Sequence, residues 1–201
     1  KRQHLEVLDP RDPDDVAGTV QLVDDELERM NRMVSDLLLL ARSEQPTFLH
    51  PGTVDVGELT EDVFAHVAKL GDREWVLETV ARVDAHVDPQ RLTQAVVALA
   101  DNAVRYTAPG TRIALGSQLA GGQLRFWVAD SGPGIGAADR DRIFERFARG
   151  SSAGPRSEGA GLGLAIIRTI AVAHGGRVLL DSVPGRGATF TLVVPHLESQ
   201  T

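Results

Sequence analysis

The segment DSGPGIG at 130–136 follows the apolar run LRFWVA at 124–129. A glycine-rich turn directly after a strand often allows the backbone to approach a phosphate. The dinucleotide-binding fingerprint, however, requires glycines spaced G-x-G-x-x-G that open into a helix, with an acidic residue about 20 positions later. Here the spacing is G-x-G-x-G, a proline interrupts it, and the acidic residue comes first. The sequence also lacks a G-x-x-x-x-G-K-S/T phosphate loop, so neither of these nucleotide folds is predicted.

The composition is that of an ordinary globular protein and narrows the class of partners. The 201 residues are enough for one domain with a good core, or for one domain and an appendage. Of these residues, 42% are hydrophobic and 24% are charged, as in ordinary globular proteins. The formal net charge of −7 argues against nucleic acid or an anionic membrane as the main partner. Cysteine is absent, which excludes disulfides, and no apolar run approaches the ~18 residues of a membrane span.

An apolar seam runs along the N-terminal part of the chain. After the turn DPRDPDD at 9–15, a helical pattern extends from 14 to about 44, with apolar residues spaced alternately by three and four. Such a heptad seam favours one half of a helical hairpin that dimerises. The alternative is a helix that packs on its own domain. The seam residues are Val20, Val23, Leu27, Met30, Val34, Leu37 and Ala41.

A linker, QPTFLHPG at 45–52, separates this helix from a region with both helical and strand patterns. Adjacent hairpins in that region predict a mixed sheet rather than an all-parallel one, and therefore an α/β fold. The predicted helices are 57–70, 89–106 and 162–174, and the predicted strands are 53–56, 75–80, 85–87, 111–120, 123–130, 177–183 and 188–194.

Two further segments have the chemistry to bind an anionic ligand. GAGLGLAII at 159–167 opens a helix, where free N–H groups and the positive helix end favour a phosphate. DNAVRYT at 101–107 ends a helix and places Asn102, Arg105 and Tyr106 within about one turn. An amide oxygen suits Mg²⁺ and a guanidinium suits phosphate. Taken singly, GAGLGLAII is equally explained by a helix that packs tightly through small residues. DNAVRYT taken singly is better explained by a surface Asn–Arg pair at a helix end.

Two more segments complete the set. RIFERFARG at 142–150 combines the apolar anchors Phe144 and Phe147 with the positive charges that an acidic protein needs to hold a triphosphate. PGRGATF at 184–190 has the composition of a hairpin turn between two strands. Their ordinary explanations are an amphipathic turn with solvated arginines and a simple connection.

The order and spacing of these five segments are far more specific than any one of them. DNAVRYT, DSGPGIG, RIFERF, GAGLGLA and PGRGATF resemble the motifs of the catalytic domain of sensor histidine kinases, in the GHKL ATPase superfamily. The resemblance implies a two-layer α/β sandwich with a mixed sheet, and ATP and Mg²⁺ as cofactors. It divides the chain into a partial dimerisation hairpin at 1–46, a linker at 47–52, a catalytic domain at 53–195 and a tail at 196–201.

The resemblance also implies a role for each segment. Asp130 would accept a hydrogen bond from the adenine amino group, Gly134 would let the base pack closely, and Thr189 would support that end. Asn102 would hold Mg²⁺, and with Arg105 and Arg146 it forms the expected catalytic set. A mobile lid would cover roughly 136–160. The full expected nucleotide-binding set is Asn102, Arg105, Tyr106, Asp130, Gly132, Gly134, Ile135, Arg146, Arg149, Gly159, Gly161, Leu162, Gly163, Leu164 and Thr189.

Two departures from the family pattern bear on activity. Ala98 stands four residues before Asn102, where members carry Asn or a catalytic Glu, so a metal ligand or base is missing. None of the six histidines, His4 included, fits the phosphoacceptor pattern H-E/D-x-x-T/N-P. Because the chain begins at Lys1 inside a helical pattern, we expect that the acceptor was cut off, and that this fragment does not phosphorylate itself. The alternative explanation is a natural split kinase.

The sequence therefore predicts a histidine kinase domain that donates the γ-phosphoryl group to a histidine of the dimerisation hairpin, from which a response-regulator aspartate receives it. The expected partners are a second copy of the chain and a response regulator, in the cytoplasmic part of a membrane-anchored bacterial protein. One alternative is a non-catalytic nucleotide-binding or dimer-scaffold module, which Ala98 supports. The other is a serine kinase that resembles anti-sigma factors.

Overall fold

The computed structural model describes residues 13–42, 45, 47–148 and 161–196. The four helices in this part are α1 (Pro13–Arg42), α2 (Val56–Val67), α3 (Pro89–Arg105) and α4 (Gly163–Ala173). The strands are β1 (Gly52–Asp55), β2 (Glu74–Leu77), β3 (Asp84–Val87), β4 (Arg112–Ala120), β5 (Gln123–Asp130), β6 (Arg177–Ser182) and β7 (Ala188–Pro195). Two short 3-10 turns, Ala137–Asp139 and Arg142–Phe144, follow β5.

Aspartate side chains define where two of the helices begin. The carboxylate of Asp55 accepts the N–H groups of Gly57 and Glu58 at 2.7 and 3.0 Å, and the carboxylate of Asp88 accepts the N–H of Arg91 at 3.0 Å. Pro89 occupies the first turn of α3, where its missing N–H costs no hydrogen bond. These caps explain why the helix starts predicted from the sequence lie within a residue of those observed.

The sheet is mixed, as predicted, and the chain has the expected α/β fold. Its five strands run in the order β2-β4-β5-β7-β6, with β2 parallel to β4 and every other neighbouring pair antiparallel. β1 and β3 form a separate antiparallel pair. Helices α3 and α4 pack together over one face of the large sheet, and the core lies between the two layers. Its fully buried side chains include Leu92, Leu99, Leu115, Leu124, Ile167, Ile170 and Leu192.

The C-terminal end of α1 is anchored to this domain while its apolar seam is exposed. Leu39 and Leu40 are buried in the core, and α1 contacts α4. The seam residues from Val20 to Leu37 are between 41% and 54% exposed. The helix therefore combines both interpretations of the sequence, since one end packs on its own domain and the remaining seam is open to a partner. The predicted first helix, with His4, lies outside the described residues.

The linker after α1 is held by a small polar network. The carboxylate of Asp88, which caps α3, also accepts the main-chain N–H of His50 at 2.8 Å. The N–H of Asp88 donates to Nε2 of His174 at 3.2 Å, so the same residue joins the end of α4. The guanidinium of Arg91 lies 4.7 Å from the ring centre of Phe48. Among the described helices, none is long and apolar enough to cross a lipid bilayer.

The outer face of the sheet carries a tight aromatic contact. The indole of Trp127 lies directly over Gly116 on the neighbouring strand, and its Nε1 donates to Glu78 at 3.1 Å. A Cβ atom at Gly116 would overlap the indole ring. This is why a buried strand position holds glycine in spite of its poor strand propensity.

We expect Gly116→Ala to lower the free energy of unfolding by about 1–2 kcal/mol, because the methyl group must displace the indole and break its bond to Glu78. Urea denaturation measures this change. The matched control is Gly52→Ala, since a Cβ at that strand position meets no atom within 4 Å. Equal stability of the two variants would contradict the packing argument.

Candidate functional site

Asp130 lies at the end of β5, on the face of the sheet that the helices cover. Alternation along β5 puts its side chain on the same face as the buried Leu124, Phe126 and Val128. Its carboxylate accepts the N–H of Gly132 at 2.8 Å. Burial raises the pKa of Asp130, although the N–H groups of Gly132 and Ala188 act in the opposite direction. Carboxyl groups whose pKa is raised by burial are often found in functional sites.

Two glycine turns close around this carboxylate. Gly134 has a φ of +68° and lies against the carbonyl of Val183, and Gly187 has a φ of +87° and lies against the carbonyl of Asp130. A Cβ atom at either position would overlap that carbonyl oxygen. The conformations and the contacts both require glycine, so DSGPGIG and PGRG are packed backbone against backbone. The N–H of Gly185 also donates to the carbonyl of Pro133 at 2.7 Å.

The C-terminal end of α3 forms the wall beside Asp130. A Cβ atom at Gly132 would lie 2.8 Å from the carbonyl oxygen of Tyr106, so the structure brings the DSGPGIG turn and the end of α3 into direct contact. Asn102 and Tyr106 are half-buried there, whereas Arg105 is exposed. Ala98, one turn earlier, packs against the core.

Arg73 holds this end of α3 and was missed by the sequence analysis. Its guanidinium donates to the carbonyls of Val104 and Thr107 at 2.9 and 2.8 Å and to the hydroxyl of Thr107 at 2.9 Å. Free carbonyls at a helix C-terminus favour such a cation. No signal in the sequence could have identified it, because the arginine precedes its partners by 31 and 34 residues.

The N-terminal end of α4 has the features of an anion site. Among the residues that the structure describes, no side chain caps the first turn, and a Cβ atom at the exposed Gly163 would meet no atom within 4 Å. Gly161, with a φ of +68°, packs against the backbone of Phe147 and Ala148, and Leu162 is buried beneath the turn. Leu164 packs against the core. The expected residues Arg149 and Gly159 lie outside the described part of the chain.

Arg146 lies in a different place from the residues around Asp130. It lines an open groove of about 600 Å³ whose walls come from the second 3-10 turn and the outer side of α4, including Arg168 and Val172. Phe144 anchors that turn through an edge-to-face contact with Phe190 at 6.2 Å. The expectation that Phe147 is a second anchor is wrong, because its side chain is 61% exposed and its φ is +63°.

The expectation for Thr189 is also not met by the strand register. Thr189 pairs with Ala129, and Ala188 is the residue directly opposite Asp130. Because successive side chains point to opposite faces of a sheet, Thr189 is on the face away from the Asp130 side chain. The buried residue beside Asp130 is therefore Ala188.

The arrangement fits an adenine nucleotide better than a pre-formed metal centre. Asp130 offers a carboxylate acceptor in a partly desolvated wall, and the uncapped turn at Gly163 leaves room for an anionic group. Among the described residues, no group of three or more His, Cys, Asp or Glu side chains could hold a metal ion.

Comparison with known proteins agrees with this geometry. Residues 87–198 match the family of histidine kinase-, DNA gyrase B- and HSP90-like ATPases. The probable sensor histidine kinase TcrY of Mycobacterium tuberculosis is 40% identical over 178 residues, which are 87% of this chain and 37% of that protein. The chain therefore belongs to this ATPase family and carries the catalytic domain of a sensor histidine kinase.

Solved structures give the same assignment. The mycobacterial sensor histidine kinase MprB is 30% identical, with a TM-score of 0.65 over 72% of this chain and 98% of that one. Full-length ShkA, solved in complex with AMPPNP, is 29% identical, with a TM-score of 0.77 over 92% of this chain and 40% of that one. The chain thus spans less than half the length of both TcrY and ShkA.

We expect Asp130→Asn to stabilise the ligand-free protein at pH 7. The pKa of Asp130 is raised in the folded state, so the charged carboxylate costs stability above that pKa and the cost disappears as the pH falls through it. Urea unfolding between pH 3 and 8 should show a gain at neutral pH that shrinks in acid. Asp181→Asn, at an exposed position on β6, is the control and should change stability by less than about 0.5 kcal/mol. A destabilised Asp130→Asn at pH 7 would refute the argument.

Proposed function

We propose that this domain binds Mg-ATP and that, in the whole protein, it donates the γ-phosphoryl group to a histidine of the dimerisation hairpin, from which a response-regulator aspartate receives it. The observation that carries the proposal is the half-buried Asp130 between the end of α3 and two glycine turns. The likeness to ShkA, solved with AMPPNP, supports an adenine nucleotide as the ligand of this domain.

In this proposal the two ends of the nucleotide are held by different elements. Asp130 accepts a hydrogen bond from the adenine amino group, and Gly132, Gly134 and Ile135 form the loop against which the base packs. The first turn of α4, from Gly161 to Leu164, offers its N–H groups to the phosphates. A bound Mg²⁺ neutralises phosphate charge.

The charged residues of the proposal complete the phosphate side. Asn102 supplies an oxygen to the metal ion, and Arg105 and Arg146 supply positive charge near the phosphates. Tyr106 lines the wall beside the base. Arg146 follows the second 3-10 turn and Asn102 lies on α3, so this part of the proposal requires the segment from 136 to 160 to close over the ligand as a lid. Arg149 and Gly159 belong to the same proposed lid.

The partners follow from the exposed seam and from the relatives. The seam of α1, open from Val20 to Leu37, would pair with the same helix of a second copy. A response regulator would be the recipient of the phosphoryl group, and we place the domain in the cytoplasm. The net charge of −7 makes nucleic acid a poor partner.

Ala98 favours a second candidate function. It packs against the core where a metal ligand or base was expected, and a small apolar side chain can serve as neither. A domain that binds nucleotide without transferring phosphate, and acts as a dimer scaffold, is consistent with that substitution. A serine kinase has no such observation in its favour.

We expect Asp130→Ala to weaken ADP binding at least tenfold. The variant loses a hydrogen bond to a charged acceptor, and such a loss costs on the order of 1.5–3 kcal/mol. Isothermal titration calorimetry of the fragment measures the affinity, with circular dichroism to confirm the fold. Asp181→Ala is the control because its carboxylate is exposed on β6. Unchanged ADP affinity in Asp130→Ala would remove the base assignment.

We expect the fragment to phosphorylate a separate segment of the protein that carries the acceptor histidine. Incubation with γ-labelled ATP should give a phosphate that is labile in acid and stable in base, and Asp130→Ala should abolish it. ATP binding without transfer would favour the scaffold, and an acid-stable phosphate would favour the serine kinase.

A further inference from the structure

We propose that Ser182 is a positioning residue of the nucleotide site, whose hydroxyl fixes the two glycine turns on either side of Asp130. This inference rests on the proposed function, since it concerns how the base pocket keeps its shape. Ser182 belongs to none of the five motif segments that predicted the site. It lies at the end of β6, just before the turn that leads to β7.

Ser182 occupies the same row of the sheet as Asp130. It pairs with Ala188 on β7, and Ala188 pairs in turn with Asp130 on β5. Residues paired directly across antiparallel strands point to the same face. The three side chains therefore form a row across three neighbouring strands, at one end of these strands and on the face that the helices cover. Ser182 is only 3% exposed, so its hydroxyl must find its partners within the protein.

Both hydrogen-bonding functions of the hydroxyl are used on the two turns. Oγ accepts the N–H of Ile135 at 2.9 Å and donates to the carbonyl of Gly187 at 2.7 Å. Ile135 belongs to the DSGPGIG segment, and Gly187 is the residue in contact with the main chain of Asp130. One side chain thus sets the separation between the loop proposed to hold the base and the turn that supports Asp130.

The main chain of Ser182 adds a third connection. Its carbonyl accepts a hydrogen bond from the guanidinium of Arg140, which lies between the two 3-10 turns at the start of the proposed lid. Ser182 therefore contacts three segments: the DSGPGIG loop proposed to pack against the base, the turn before β7, and the first part of the proposed lid. Removal of the hydroxyl would leave the N–H of Ile135 and the carbonyl of Gly187 without their partner, and the turns could separate.

The test compares three variants of the fragment. Ser182→Ala should weaken ADP binding about threefold to tenfold and should reduce the preference for ADP over GDP, whereas Ser182→Thr, which retains the hydroxyl, should bind ADP within about twofold of the wild type. Ser117→Ala is the matched control, because Ser117 is also buried in a strand and its hydroxyl bonds to Thr60 and Ala81, outside the site. It should lose stability without losing ADP affinity or base preference.

A measurement on the unmodified protein does not depend on whether the variants fold. The amide of Ile135 should exchange slowly with solvent in the wild type, and ADP should slow it further. Wild-type ADP affinity and base preference in Ser182→Ala, or free exchange at Ile135, would overturn the role of Ser182 alone. Failure of the wild type to bind ADP would instead overturn the proposed function, and this inference with it.

Discussion

The backbone contact between Gly187 and Asp130 is the constraint on which the candidate site depends. β5 and β7 pair along their whole length, and at the last pair the turn before β7 lies directly on the main chain of Asp130. Only a residue without a side chain, in a left-handed conformation, permits that approach. The carboxylate is partly buried and accepts the N–H groups of Gly132 and Ala188, so the environment of Asp130 depends on the turn that follows β5 and on the start of β7.

The buried carboxylate of Asp130 lowers the stability of the ligand-free protein and offers a hydrogen-bond acceptor to a ligand. Burial without a cationic partner disfavours the charged form of a carboxylate, and two main-chain N–H donors compensate only in part. The Asp130 carboxylate can therefore accept further hydrogen bonds from a ligand that carries donors. The same logic holds at the first turn of α4, where no side-chain cap competes for the free N–H groups. Within the described part of the chain, the Asp130 carboxylate and the first turn of α4 both keep hydrogen-bonding capacity that the proposed nucleotide would use.

Local signals predicted most of the fold, and tertiary pairing decided the rest. Helices α3 and α4 were predicted to within two residues, because Asp88, Pro89 and the Gly175–Gly176 pair mark their ends. The separation of β1 and β3 into their own sheet was not predicted, since these strands pair across an intervening helix and strand. The error at Thr189 was one residue of register, and one residue is enough to move a side chain to the other face.

In the candidate site, too, residues in local motifs were predicted and residues placed by tertiary contacts were not. Asp130 and its glycines were predicted because their types and spacing are local. Ser182, two residues before the PGRG turn, was not predicted, because its partners Ile135 and Gly187 meet it only in the folded sheet. Arg73 depends on contacts still more remote from the motifs. The side chains that we propose to bind the ligand belong to motifs, whereas Ser182 and Arg73, which hold the backbone beside them, do not.

The anchoring of α1 has a mechanical consequence. A helix of 30 residues is about 45 Å long, and in the described part of the chain its buried attachment is near one end, at Leu39 and Leu40. The helix is therefore attached to the domain only near its C-terminal end in this part of the chain. A tilt of about 10° at that attachment would move its N-terminal end by about 8 Å. Small rearrangements of core packing beside α4 would be magnified along the exposed seam. The packing of Leu39 and Leu40 on the domain thus fixes the direction in which the exposed seam points.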